Sequence, residues 1–187
     1  MAYSGQLITN PVSGERIRFR QTAPDTGGRF LSFDLFLTPD GHVPGAHVHS
    51  IQEERFTVVS GHLQLRCGLR TIVAGEGETV VVPPGTVHKF VNAGDGPAHA
   101  VVRVEPALRM EDLLETAALL AQEGRTLSGG MPRPLDFAIF LHEFEQEVRV
   151  PLLPNALVRL ASSPLEALGR RRGLDVYYRR QDRPAAA

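Results

Sequence analysis

Apolar and polar residues alternate with a period of two through the first half of the chain and change to helical spacing in the second. Arg16, Arg18 and Arg20 alternate with Ile17 and Phe19. Leu31, Phe33, Leu35 and Leu37 share one face of a strand predicted over Phe30–Leu37. Short runs over Glu54–Val59, His62–Cys67, Arg70–Val73, Glu78–Val82, Val87–Asn92 and Ala98–Glu105 repeat the pattern, cut by Gly and Pro turns. Many short strands with one apolar face each predict an all-β sandwich or barrel. The change comes at Pro106. Leu108, Leu113, Leu114, Ala117, Ala118 and Leu120 fall at helical spacing, with Glu111 and Asp112 early, where the helix dipole favours acids. Gly124 and Ser128-Gly129-Gly130 end that unit. Pro134 opens a second helix with Phe137, Phe140, Leu141, Phe144 and Val148 as its apolar face. A third helical stretch runs from Asn155 to Arg172, with an interruption expected at Pro164. The predicted organisation is a β-barrel over residues 1–106 and a helical extension over residues 107–187, packed on the barrel because its phenylalanines need burial.

Composition narrows the function. A length of 187 residues with 42% hydrophobic content is enough for one well-buried core. Twenty Lys+Arg against 21 Asp+Glu leave a formal charge of -1, without the basic field of a non-specific nucleic-acid binder. Cys67 is the single cysteine, which excludes an intramolecular disulfide framework and a Cys-rich zinc site. Its alternation with Leu63 and Leu65 predicts a buried, inert thiol. No apolar run approaches the roughly 20 residues that span a bilayer. The first residues lack the basic and apolar regions of a secretory signal. A soluble, cytoplasmic protein with neither membrane nor nucleic-acid partner is expected. The arginines near the end (Arg170, Arg171, Arg172, Arg179, Arg180 and Arg183) read as a solvated basic surface.

The chemistry concentrates between Gly41 and Asn92. His47 and His49 are two apart, so an extended strand points both imidazoles to one side. Glu53 and Glu54 follow. Only Glu54 shares parity with the apolar Phe56 and Val58, so Glu54 faces in and Glu53 faces out. His88 shares parity with Phe90 and Asn92 and also faces in. Three imidazoles and one carboxylate around an ion leave one or two positions open. Such a set suits Fe(II), Mn(II), Ni(II), Co(II) or Zn(II), and the affinity order does not choose among them.

These segments resemble the two conserved motifs of the cupin superfamily. The first runs from Gly41 through His47, His49 and Glu54 to Gly61. The second runs from Gly77 through Pro83, Gly85 and His88 to Asn92. The spacing fits both motifs without departure, and the likeness covers roughly Leu7 to Pro106. The resemblance implies a jelly-roll barrel of six to eight strands with a divalent ion in its mouth. It carries the ligand role to His47, His49, Glu54 and His88, and a proton-moving catalytic role to Glu54. It also implies a homodimer, since cupins often close open strand edges with a partner. The helices after Pro106 lie outside the minimal fold.

An ion with open positions in an apolar barrel fits a metal-dependent enzyme on a small, aromatic or polyketide-like molecule. The first expectation is dioxygenase-like chemistry with Fe(II). A Lewis-acid isomerase or cyclase uses the same open position, and a non-catalytic cupin that binds a small ligand is the further alternative. The remaining residues have plainer expectations. His42, His62, His99 and His142 are read as surface or structural groups, with a pocket-rim place as the alternative for His42 and a second-sphere or pocket place as the alternative for His99. Asn92 is expected to bond local backbone, Gln52 is within reach of the pocket, and Arg16, Arg18 and Arg20 form an exposed or paired strand face.

Overall fold

The protein is described from a computed structural model, which covers residues 2–179. Nine antiparallel strands form its first half: β1 (Leu7–Asn10), β2 (Glu15–Gln21), β3 (Leu31–Leu37), β4 (Glu53–Ser60), β5 (Leu63–Cys67), β6 (Arg70–Ala74), β7 (Thr79–Val82), β8 (His88–Asn92) and β9 (Ala98–Glu105). A six-stranded sheet has the order β1-β2-β3-β9-β4-β7, and a three-stranded sheet has the order β6-β5-β8. The strand spacing predicted a sandwich or barrel, and the fold is the jelly-roll barrel that the motif resemblance implied, with nine strands rather than six to eight.

Parity sorts the faces as expected. Leu31, Phe33, Leu35 and Leu37 are buried, and so are Phe56 and Val58 on β4 and Val102 and Val104 on β9. Each such side chain contributes about 1.5–3 kcal/mol when taken fully out of water. The arginines of β2 point outward, where Arg18 and Arg20 both pair with Asp34 at 3.1 and 3.2 Å. Gly61 turns β4 into β5 with φ +76, and a Cβ there would lie 2.8 Å from Pro97 O. Both facts restrict the position to glycine. One short element has a local signal in the segment Thr22–Asp25. Helix α1 (Ala23–Thr26) starts where the Thr22 N–H and hydroxyl both donate to Asp25 at 2.8 Å.

The second half forms α2 (Met110–Gln122), α3 (Pro134–Glu143), α4 (Asn155–Arg171) and α5 (Val176–Arg179). Met110, Leu113 and Leu114 of α2 join the barrel core. Polar ties reinforce the docking: Ala23 N–H donates to Glu111 at 2.9 Å and Gln122 Nε2 to Thr9 O at 2.7 Å. A second core of Leu120, Ile139, Phe140, Phe144 and Tyr178 holds the helices together.

Two helix expectations need correction. Val148 lies beyond α3, because the chain becomes extended there and Arg149 bridges to Val48. Pro164 does not interrupt α4. The Ser162 and Ser163 hydroxyls bond the Val158 and Arg159 carbonyls at 2.8 and 2.6 Å, in the turn that the proline perturbs. Arg180 and Arg183 of the basic end lie outside the described residues.

Candidate metal centre

The two motifs meet through backbone. His47 N–H donates to His88 O at 3.0 Å and His88 N–H to His47 O at 2.9 Å, so the two ligand positions face each other as a bridge. The Pro83-Pro84-Gly85 turn adds a third link, with Gly85 N–H donating to His49 O at 2.8 Å. Glu54 enters from β4 on the same inner face as Phe56. Parity was right about its neighbour: Glu53 points outward and pairs with Arg55 at 3.1 Å.

One ligand atom from each of His47, His49, Glu54 and His88 lies within 4.8 Å of all the others. The ring orientations explain the convergence. His47 Nδ1 bonds Gly45 O at 2.9 Å, His88 Nδ1 bonds Thr86 O at 2.9 Å, and His49 Nδ1 bonds Glu147 O at 2.5 Å. A carbonyl accepts only, so each Nδ1 carries a proton and each ring turns its Nε2 inward, where that nitrogen can ligate an ion once it is deprotonated. His88 Nε2 is 2.8 Å from Glu54 Oε2. His49 Nε2 is buried without a hydrogen-bond partner, 3.5 Å from the same oxygen. Converging imidazole nitrogens, one of them without a hydrogen-bond partner, around a buried carboxylate fit a divalent transition-metal ion.

The electrostatics agree with that donor set. Burial and the two neighbouring imidazoles push the His47 pKa down to about 3, so this ring stays neutral. Burial disfavours charge on His49, but the Glu54 carboxylate outweighs it and raises the pKa. Burial also opposes charge on Glu54, yet His49 and His88 hold its carboxyl well below the usual range.

The cluster opens into a cavity of about 390 Å³. Its barrel wall includes Ile17, Phe33, Leu35, Phe56 and Phe90. The opposite wall comes from the helical half: Met110, Leu113, Leu114 and Ala117 of α2, Phe137, Phe140 and Leu141 of α3, and Met131 and Val148 from the flanking loops. The predicted apolar face of the second helix therefore divides. Phe144 enters the helical core, whereas Phe137 and Leu141 line the cavity.

Two contributions to this site were absent from the sequence reading. One is the Glu147 carbonyl, a main-chain atom that carries no residue signature. The other is Glu15, which is buried and lines the cavity. The alternation that turns Arg16 and Arg18 outward turns Glu15 inward, so parity held its signal. Burial raises its pKa from 4.5 to about 7, against the hydrogen bond from Ser13.

The other singled-out residues are structural. Gln52 Nε2 donates to Pro106 O and Ala107 O at 2.9 and 3.1 Å, away from the cavity. Asn92 Nδ2 donates to Thr38 O and Gly96 O at 2.9 and 2.8 Å. His99 stacks on Phe36 and bonds Asp34 at 2.8 Å. His42 bonds Asp40 O at 3.0 Å, and His62 is exposed. Cys67 is half-buried rather than buried, because β5 runs out to a turn at Gly68, and desolvation raises its thiol pKa. His142 lies between Ser162 Oγ at 2.9 Å and Glu166 at 3.0 Å. That arrangement has a nucleophile, a base and an acid in line. However, Ser162 sits inside α4 and donates to Val158 O, so no free helix-terminal N–H groups stand by to hold an oxyanion.

Residues 35–104 match the family model described as Cupin domain. No curated protein matches the chain. Among solved structures it is similar to an RmlC-like cupin from Shewanella frigidimarina, at 15% identity over 59% of this chain and 94% of that one, with a TM-score of 0.47. It is also similar to a predicted oxalate decarboxylase from Thermotoga maritima, at 16% identity over 55% and 92%, with a TM-score of 0.49. A third is a sugar phosphate isomerase from a cupin superfamily, from Silicibacter pomeroyi, at 25% identity over 56% and 67%, with a TM-score of 0.44. With both motifs complete and their His and Glu side chains converging in a jelly roll, residues 35–104 form a cupin domain.

Proposed function

We propose that this protein is a metal-dependent enzyme acting on a small, largely apolar organic molecule, with dioxygenase-like chemistry as the reading. The observation that carries it is the continuity of the ligand cluster with the apolar cavity. His47, His49 and Glu54 line the same space as Phe33, Phe56 and Phe137. Its volume suits a single small molecule. His47, His49, Glu54 and His88 would hold the ion, and Fe(II) when bound supplies a redox centre that substrate and O2 share.

The protein's own groups do the rest. Glu54 is the only carboxylate among the ligands, and its Oε2 faces two imidazole nitrogens, so it is the group placed to take a proton from a substrate hydroxyl. Phe137, Leu141 and Met131 line the cavity and would orient an apolar substrate towards the cluster.

The test is metal-free protein reloaded separately with Fe(II), Mn(II), Ni(II), Co(II) and Zn(II), and offered a panel of small phenols and β-diketones. Substrate loss is followed by mass spectrometry and O2 by electrode. Turnover that requires Fe(II) and consumes O2 supports the proposal. Full turnover with Zn(II) in the absence of O2 replaces it with an isomerase or cyclase. Binding of panel members without turnover under any metal leaves a small-molecule-binding cupin.

A further inference from the structure

Asn10 and Glu15 are cross-strand partners on β1 and β2, and both side chains are buried and line the cavity. Their hydrogen bonding is incomplete in a complementary way. Asn10 Oδ1 accepts the N–H groups of Val12 and Ser13 at 3.1 and 3.2 Å, which fixes the amide orientation. The Nδ2 group is then left as a donor with no partner among the described residues. Glu15 Oε2 accepts the Ser13 hydroxyl at 2.5 Å, and its Oε1 has no partner among the described residues. A donor and a carboxyl oxygen thus stand side by side in a wall that is otherwise apolar. Neither of these two atoms is sealed from the cavity, so water or a ligand group there completes their hydrogen bonds.

The strand register places this pair away from the metal ligands. Glu15 lies opposite Leu37, at one end of β3. Glu54 lies opposite Val104, which lies opposite Leu31 at the other end. One cavity therefore has a metal-ligating group near one end of β3 and an unsatisfied hydrogen-bonding pair near the other.

We infer that Asn10 and Glu15 form a second recognition point, which selects elongated apolar ligands carrying a hydroxyl or amide group at the end remote from the metal. This rests on the reading of the cluster as a metal site that binds the ligand's other end. A hydroxyl both donates and accepts, so it satisfies Asn10 Nδ2 and Glu15 Oε1 together. A methyl in the same place leaves both unpaired.

The probes are two series of straight-chain hydroxamic acids of increasing length, one ending in methyl and one in hydroxyl. Affinities are measured by calorimetry on metal-loaded protein. In an apolar pocket without a partner, the terminal hydroxyl weakens binding at every length. Here the hydroxyl ligand is expected to bind about fivefold tighter than its methyl counterpart at one optimal length, the factor for about one net hydrogen bond. Glu15→Gln keeps that preference, and Glu15→Leu abolishes it while metal content stays the same. Equal or weaker binding of the hydroxyl series at every length overturns the inference. So does a preference that survives Glu15→Leu, or failure of both series to bind. Metal-free protein run in parallel separates the two readings. If the cluster does not engage the hydroxamate, affinities are the same with and without metal, while the hydroxyl-to-methyl ratio still reports on Glu15.

Discussion

Replacing Glu15 by Gln should stabilise the protein at alkaline pH and leave it nearly unchanged at acidic pH. The carboxyl has an ordinary pKa of 4.5 when the chain is unfolded and about 7 when it is buried in the cavity wall. Between these values the unfolded chain has released a proton that the folded one retains. Unfolding thus releases a proton, and folding stability falls as pH rises through this window. Above about pH 7 the penalty is complete. A rise from 4.5 to about 7 corresponds to about 3 kcal/mol, at roughly 1.4 kcal/mol per pKa unit. Two groups face Glu15 in this respect: the Ser13 hydroxyl, which bonds it, and the His42 imidazole, and both favour the carboxylate without offsetting the burial. Gln has nearly the same shape, keeps an acceptor for Ser13 and does not titrate. Urea unfolding of both proteins at several pH values isolates the effect, since the other titrations are shared. The stability difference should grow by about 3 kcal/mol between about pH 4.5 and pH 8. At about 2–4 °C per kcal/mol for a chain of this size, the melting temperatures should separate by roughly 6–12 °C. A stability difference that stays constant over this range would refute the reasoning, because Glu15 would then titrate alike in the folded and unfolded chains.

Elemental analysis should find a transition metal in the wild type and little in His47→Ala/His49→Ala, while Glu53→Ala retains it; equal metal in all three would move the site elsewhere. Because Glu54 raises the His49 pKa, this ring must lose a proton to ligate, so chelator competition should show weaker metal binding as pH falls. Deleting residues 107–187 removes the helical wall and exposes the barrel residues beneath Met110 and Leu113, so a soluble truncation with an unchanged melting temperature would contradict the packing. We further propose a homodimer that covers the sheet's open strand edges; light scattering showing a monomer at tens of micromolar (roughly the regime of micromolar affinity) would count against it.

The cluster of three histidines and Glu54 was legible because strand parity and motif spacing are both local. His47 and His49 lie two apart, and Glu54 is separated from Glu53 by its parity with Phe56 and Val58. The barrel was legible for the same reason. Period-two alternation records burial on one face without any knowledge of partners. Parity also turned Glu15 inward, but it cannot say what an inward residue meets. The cavity that Glu15 faces is lined on its other side by Met110, Phe137 and Met131, all distant in sequence. Main-chain groups leave still less trace: the Glu147 carbonyl reaches His49 whatever side chain stands there. Helical periodicity misplaced Val148 because an apolar residue at the right interval suits a cavity wall as well as a helix face. Beyond Phe144 the backbone pairs with Val48 instead.

That pairing changes how the two halves relate. His47 and His88 are oriented by carbonyls of Gly45 and Thr86, two residues from each ligand. His49 is oriented by Glu147, a residue of the helical half. Glu147 is itself held, since its carboxylate accepts the Arg109 N–H at 3.0 Å, just before α2 begins. The strand carrying the ligands is thus paired with β8 through His47 and with the loop after α3 through Val48 and Arg149. A displacement of residues 147–149 would release the His49 ring and move Val148 out of the cavity wall in the same motion. The orientation of His49 and the cavity wall at Val148 are therefore linked through one short segment. The extension supplies both the hydrogen bond that orients His49 and one wall of the cavity that the cluster opens into.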